Sequence, residues 1–134
     1  IEMAYLLSNK DTSITPGLPL EDTLSASGGT ETTDGAYQVH KFTTGADLTI
    51  TGTGTVEYLI VGGCGGGGGR HAGGGGAGGY KEGILPVVAG TYTIVVGAGG
   101  AKGIFSSGGY RWDSGTTSSF SSISTSGGGC GGAS

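Results

Sequence analysis

Residues 56–76 run VEYLIVGGCGGGGGRHAGGGG. A strand-forming stretch, Val56 to Val61, leads into Gly63-Cys64-Gly65-Gly66-Gly67-Gly68, which satisfies the G-x-G-x-x-G spacing of a dinucleotide loop. That loop holds a pyrophosphate only if a helix follows and aims its N-terminal amides at the anion. Here Gly69-Arg70-His71-Ala72 is followed by more glycine, and each glycine costs about 1 kcal/mol against helix relative to alanine. The G-x-x-x-x-G-K-[ST] phosphate loop fails as well, because Lys102 stands between Ala101 and Gly103. The expectation is that glycine here is building material, and that the chain binds no nucleotide or other cofactor.

Other chemistry-bearing residues are few. Cys64 and Cys130 each sit alone in a glycine run, and the only histidines are His40 and His71. A structural zinc site needs four ligands, so no metal site is expected. A disulfide joining two glycine runs through Cys64 and Cys130, and two small side chains packed where glycine would also fit, both remain open; the sequence does not supply the geometry a bridge needs. No nucleophile is paired with a histidine by any motif, so the chain is not expected to be an enzyme. The most chemically loaded segment is Tyr110-Arg111-Trp112-Asp113, with the only tryptophan, flanked by glycine and serine. Tyr, Trp and Arg dominate binding hot spots, and loops carry recognition residues, so these four are binding candidates. The bland alternative folds Trp112 back onto the core and pairs Arg111 with Asp113. Arg70 and His71, between two glycine runs, are candidates for contact at a turn. Tyr80 is expected to pack against the ends of the glycine runs.

The elements that must position these residues follow from composition. Glycine supplies 34 of the 134 residues, far above the usual share of about 7%. There are only 3 prolines and no three-residue glycine period through the chain, which excludes collagen. Net charge is −4, which disfavours nucleic acid, whose binding rests on Lys and Arg. No stretch approaches the roughly 20 apolar residues of a helical membrane span. Ala4-Tyr5-Leu6-Leu7 is too short for the apolar core of a signal peptide.

Residues 1–36 carry Pro16, Pro19 and scattered leucines without a sustained period. They are expected to form an extended N-terminal arm laid against a partner chain, with a glycine-rich β domain over 37–134. Strands are expected over Tyr37–Thr43, Asp47–Thr51, Val56–Val61, Ile84–Val88 and Thr91–Val96, with a weaker last strand over Ser119–Ser124. In the first of these, Tyr37, Val39, Lys41 and Thr43 share one face, and Gln38, His40 and Phe42 share the other. The fold class is all-β, a small sandwich or jelly-roll-like core without helix. Four glycine runs, near 62–69, 73–79, 97–103 and 127–132, lie between strands. Glycine-rich backbone can adopt the threefold polyproline II helix, which leaves its amides and carbonyls free to bond laterally. The runs are therefore expected to pack as rods held at their ends by strands, with Gly66→Val and Gly75→Val far more damaging than Trp112→Ala.

The ordered set Val39–Thr43, Val56–Gly63, Gly73–Tyr80, Gly90–Gly100, Ser118–Ile123 and Gly127–Gly129 resembles the glycine-rich domain of phage tail fibres and other virion proteins, over about residues 37–132. The resemblance implies a β core, packed polyglycine II segments, and a structural or host-attachment role at the particle surface. It further implies anchoring to other virion proteins through the arm, recognition of a host surface glycan or protein, and a homo-oligomer, with trimers common among such fibres. A capsid-decorating protein fits the same resemblance. A looser likeness, to extracellular glycine-rich tumour-necrosis-factor-like domains of receptor kinases, implies instead a cell-surface domain that binds a protein or glycan. The sequence departs from the usual pattern at Cys64, Cys130 and Tyr110–Asp113.

Overall fold

The computed structural model describes residues 4–9, 24–69, 72–106 and 109–132. It contains strands and no helix among these residues. The first sheet comprises β1 (Ala4–Asn9), β3 (Thr30–Asp34), β4 (Tyr37–Phe42), β6 (Gly54–Val61) and β7 (Tyr80–Val87). Its order is β3-β4-β1-β6-β7, antiparallel throughout. The second comprises β2 (Ser25–Ser27), β5 (Ala46–Thr51), β8 (Gly90–Val95), β11 (Ser118–Phe120) and β12 (Ile123–Thr125), in the order β12-β11-β8-β5-β2. A separate hairpin joins β9 (Ile104–Ser106) to β10 (Gly109–Arg111).

Alternation decides which face of each strand is buried. Leu48 and Ile50 on β5, Val56 and Ile60 on β6, Ile94 on β8 and Phe120 on β11 meet in one core with Phe42 and Val87. This is a two-sheet sandwich, closed across the middle by Tyr58 against Phe120, ring centroids 6.3 Å apart. Of the two faces of β4, the structure buries the one bearing His40 and Phe42. His40 is 0% exposed, and its Nδ1 lies 2.9 Å from the carbonyl oxygen of Gly28. A backbone partner thus meets one nitrogen of the buried ring, while Nε2 has no hydrogen-bond partner among the described residues.

The N-terminal segment differs from the expected arm. Residues 4–9 form the middle strand of the first sheet, and β2 and β3 also lie upstream of residue 37. The reason is pairing rather than pattern. β3, TETTD, is exposed along its whole length and is an edge strand, so it shows no apolar alternation. It is fixed by its hairpin with β4, where Gly35 takes φ 59°. The expected last strand is a tight hairpin instead: β11 turns into β12 at Ser121, whose φ is 54°. β7 begins at Tyr80, earlier than expected, and Gly83 makes room beneath the ring of Tyr58.

Candidate functional site

Between the strands, the glycine runs form a bundle of extended rods bonded mainly through backbone. Residues 62–69 are the central rod. Their amides at 62, 65 and 68 donate to Gly79, Gly76 and Gly73 of the antiparallel second rod. Gly63 and Gly66 donate to Thr116 and Asp113. The carbonyls of Cys64 and Gly67 accept from Gly100 and Gly103, and those of Gly63 and Gly66 accept from Gly128 and Gly131. Bonds to each neighbour recur about every third residue, the signature of a threefold extended helix. Buried amides and carbonyls thus find the partners they require without a sheet.

Five rods take part, one more than the glycine runs suggest. The extra one is Asp113-Ser114-Gly115-Thr116, which bonds to the central rod, to Ala98 and Ala101 of the third rod, and to Gly128 of the last. Gly115 is its one glycine, and a Cβ there would lie 1.9 Å from the carbonyl oxygen of Gly63. Threonine supplies a cap in the same rod: the amide of Ala98 donates to Thr116 Oγ1 at 2.7 Å.

Every rod joins a strand at the same end. Gly62 follows β6, Gly79 precedes β7, Gly97 follows β8, Thr117 precedes β11 and Ser126 follows β12. Buried Ser118 helps fix this root, its Oγ accepting from the amide of Gly97 at 2.8 Å. The eight residues of the central rod then extend away from the sandwich by about 22 Å at about 3.1 Å per residue.

The far end gathers most of the expected site residues. There the bond from Gly68 to Gly73 closes the first two rods, and Gly103 leads into the β9–β10 hairpin. Tyr110 and Arg111 lie on β10, paired with Phe105 and Ile104. Trp112 follows, half-buried and engaged with its surroundings. Asp113 is exposed, but its backbone belongs to the bundle. Arg70 and His71 lie outside the described residues; the neighbouring Gly69 is packed against Gly103 at this end.

The cysteines do not form a bridge. Both are free thiols, Cys64 exposed and Cys130 half-buried. The threefold repeat explains why. Cys64 shares its phase with Gly67, where a Cβ would meet nothing closer than 4.0 Å. Cys130 shares its phase with Gly127, which faces Gly115 of the fourth rod. The two side chains therefore leave adjoining rods in different directions. Among the described residues no three His, Cys, Asp or Glu groups come together as a metal site.

Tyr80 does not pack against the rod ends. Parity on β7 puts Tyr80, Glu82 and Ile84 on the outer face and Leu85 and Val87 inward, so Tyr80 is 62% exposed. With Glu57 and Leu59 of β6, these residues line a shallow groove of about 500 Å³. The Tyr80 hydroxyl donates to the Glu82 carboxylate. That hydrogen bond, with lesser help from desolvation and the carboxylate charge, raises the phenol above its ordinary pKa. The alternation of Tyr, Glu and Ile at 80, 82 and 84 was the signal for this face.

The model of the glycine-rich domain family matches residues 32–134. This chain belongs to that family. The match takes in all five rods and nine of the twelve strands whole, but begins inside β3, after β1 and β2. No curated protein and no solved structure matches the glycine-rich chain at a significant level.

Proposed function

We propose that this glycine-rich domain is a structural protein of a phage-type virion, of the tail-fibre or adhesin kind. One observation supports the reading: a backbone-bonded bundle, rooted in a sandwich at one end, carries the Tyr110–Asp113 segment at the other. Such a rod separates the recognising end from the anchoring end without side-chain contacts between them. The hairpin end meets a host surface protein or glycan, with aromatic and guanidinium groups suited to desolvated contacts. The sandwich end, with the N-terminal segment, joins other virion proteins. Attachment fibres present several copies, and a homo-oligomer, such as a trimer, multiplies weak individual contacts.

Immunogold electron microscopy of intact particles, with antibody against residues 37–134, tests this. Label at fibre tips is the expected result. Label spread evenly over the head makes the protein a capsid decoration instead. Label on cells alone overturns the virion reading and makes this an extracellular surface domain.

A further inference from the structure

The place of β1 carries a second reading, independent of the virion assignment. β1 is antiparallel to β4 on one side and to β6 on the other, so β4 and β6 run parallel to each other with one strand between them. Neighbouring strands lie about 4.8 Å apart, so without β1 the two would face each other across a gap about 9.6 Å wide. β4 would present an open edge over the register positions that Ala4 to Asn9 now fill, and β6 over those of Ala4 to Ser8. An open edge of this kind templates pairing with another strand.

Nothing in the chain path requires that strand to come from the same molecule. Between β1 and the next described residue, Leu24, the chain has 14 residues, 10–23. A chain of that length spans at most about 46–50 Å, enough to reach a neighbouring copy. The family match begins at residue 32, so the slot belongs to the matched domain while the strand that fills it does not. Each molecule therefore carries one acceptor slot and one donor strand on a long tether.

We propose that residues 4–9 are an exchangeable strand, and that in the assembled protein they fill the β4–β6 slot of a second copy of this chain. Every pairing of the closed molecule is reproduced in the exchanged one, so exchange carries little penalty beyond association itself. Covalent connection gives the molecule's own strand an effective concentration on the order of 1 mM. Exchange is therefore favoured where copies are concentrated or held side by side, and it links them through main-chain bonds.

The test uses two full-length chains in a Cys64→Ser/Cys130→Ser background. One carries Leu7→Cys and the other Val39→Cys, positions opposite each other across β1 and β4. The chains are refolded together over a range of concentrations, oxidised mildly and resolved under non-reducing conditions. The expected product is a covalent heterodimer whose fraction rises with concentration. A second pair, Leu7→Cys with Glu57→Cys, reads the β6 side of the same slot and guards against a misfolded first pair. A chain carrying both Leu7→Cys and Val39→Cys reports closure within one molecule. Intramolecular closure without heterodimer at any concentration overturns the proposal, and so does the absence of both products in chains that retain the native sheet spectrum.

Discussion

Gly74 and Gly75 are neighbours on the second rod, and alanine should act on them with opposite sign. A Cβ on Gly75 would lie 2.0 Å from the carbonyl oxygen of Gly65 and 2.5 Å from its carbonyl carbon. Carbon tolerates oxygen at about 3.3 Å, so the rods must part by more than 1 Å, roughly. Both obstructing atoms are backbone and cannot swing away. The bonds of 2.8 Å from Gly65 to Gly76 and 2.9 Å from Gly68 to Gly73 would be stretched beyond hydrogen-bonding range. Losing two such bonds costs about 1 kcal/mol each, and overpacking adds about 1–3 kcal/mol. Gly75→Ala should therefore destabilise by about 3–5 kcal/mol. At Gly74 a Cβ would meet nothing within 4 Å, and alanine reduces the entropy of the unfolded chain, which stabilises by about 0.4–1 kcal/mol. For a chain of this size each kcal/mol moves Tm by roughly 4 °C, so the variants should melt about 14–24 °C apart. Circular dichroism melts and urea titrations of the two proteins measure this. If Gly75→Ala falls within about 0.5 kcal/mol of Gly74→Ala, close packing of rods is not what holds the bundle.

Two further outcomes follow from the same geometry. Cys64, on an open phase of its rod, should be modified by maleimide in the native protein well before half-buried Cys130; equal rates would mean the bundle opens as a unit. At Tyr80 the folded phenol holds its proton more tightly than the unfolded one, so its contribution is present below the ordinary pKa of 10.0 and fades as pH rises past it. Ultraviolet difference titration against Tyr80→Phe should place the phenol above that value, and Glu82→Gln should bring it back down; no change in Glu82→Gln would remove the carboxylate as the cause.

The strands that bury one face were legible because burial writes alternation into the sequence. Leu48 and Ile50 on β5 and Val56 and Ile60 on β6 are cases where the inward residues are also the apolar ones. β3 was not legible, because its place is set by pairing with β4 rather than by an apolar stripe, and β1 was not legible, because its six residues are too few to show a sustained period. The rods were legible as runs of glycine, but the fourth was not. In a threefold rod a single phase can carry the close approach, so Gly115 suffices and Asp113, Ser114 and Thr116 occupy the rest. The far end of the bundle was half legible: its aromatic and charged residues stood out, but not their position opposite the root.

The phase rule also bears on where function can reside. In the third rod Gly97, Gly100 and Gly103 all lie where a Cβ would come within 2.5 Å or less of a neighbouring backbone atom. Ala98, Ala101 and Lys102 fill other phases and are exposed. Ala77 likewise shares the open phase of Gly74, and Cys64 that of Gly67. Glycine is thus required at a subset of positions, and the others accept side chains without touching the bonds that hold the rods. Apart from those of Thr116 and Ser118, those bonds run from backbone to backbone, so the bundle is largely insensitive to which residues occupy its open phases and its far end. In an attachment protein this separates the part that can change its surface from the part that must keep its shape.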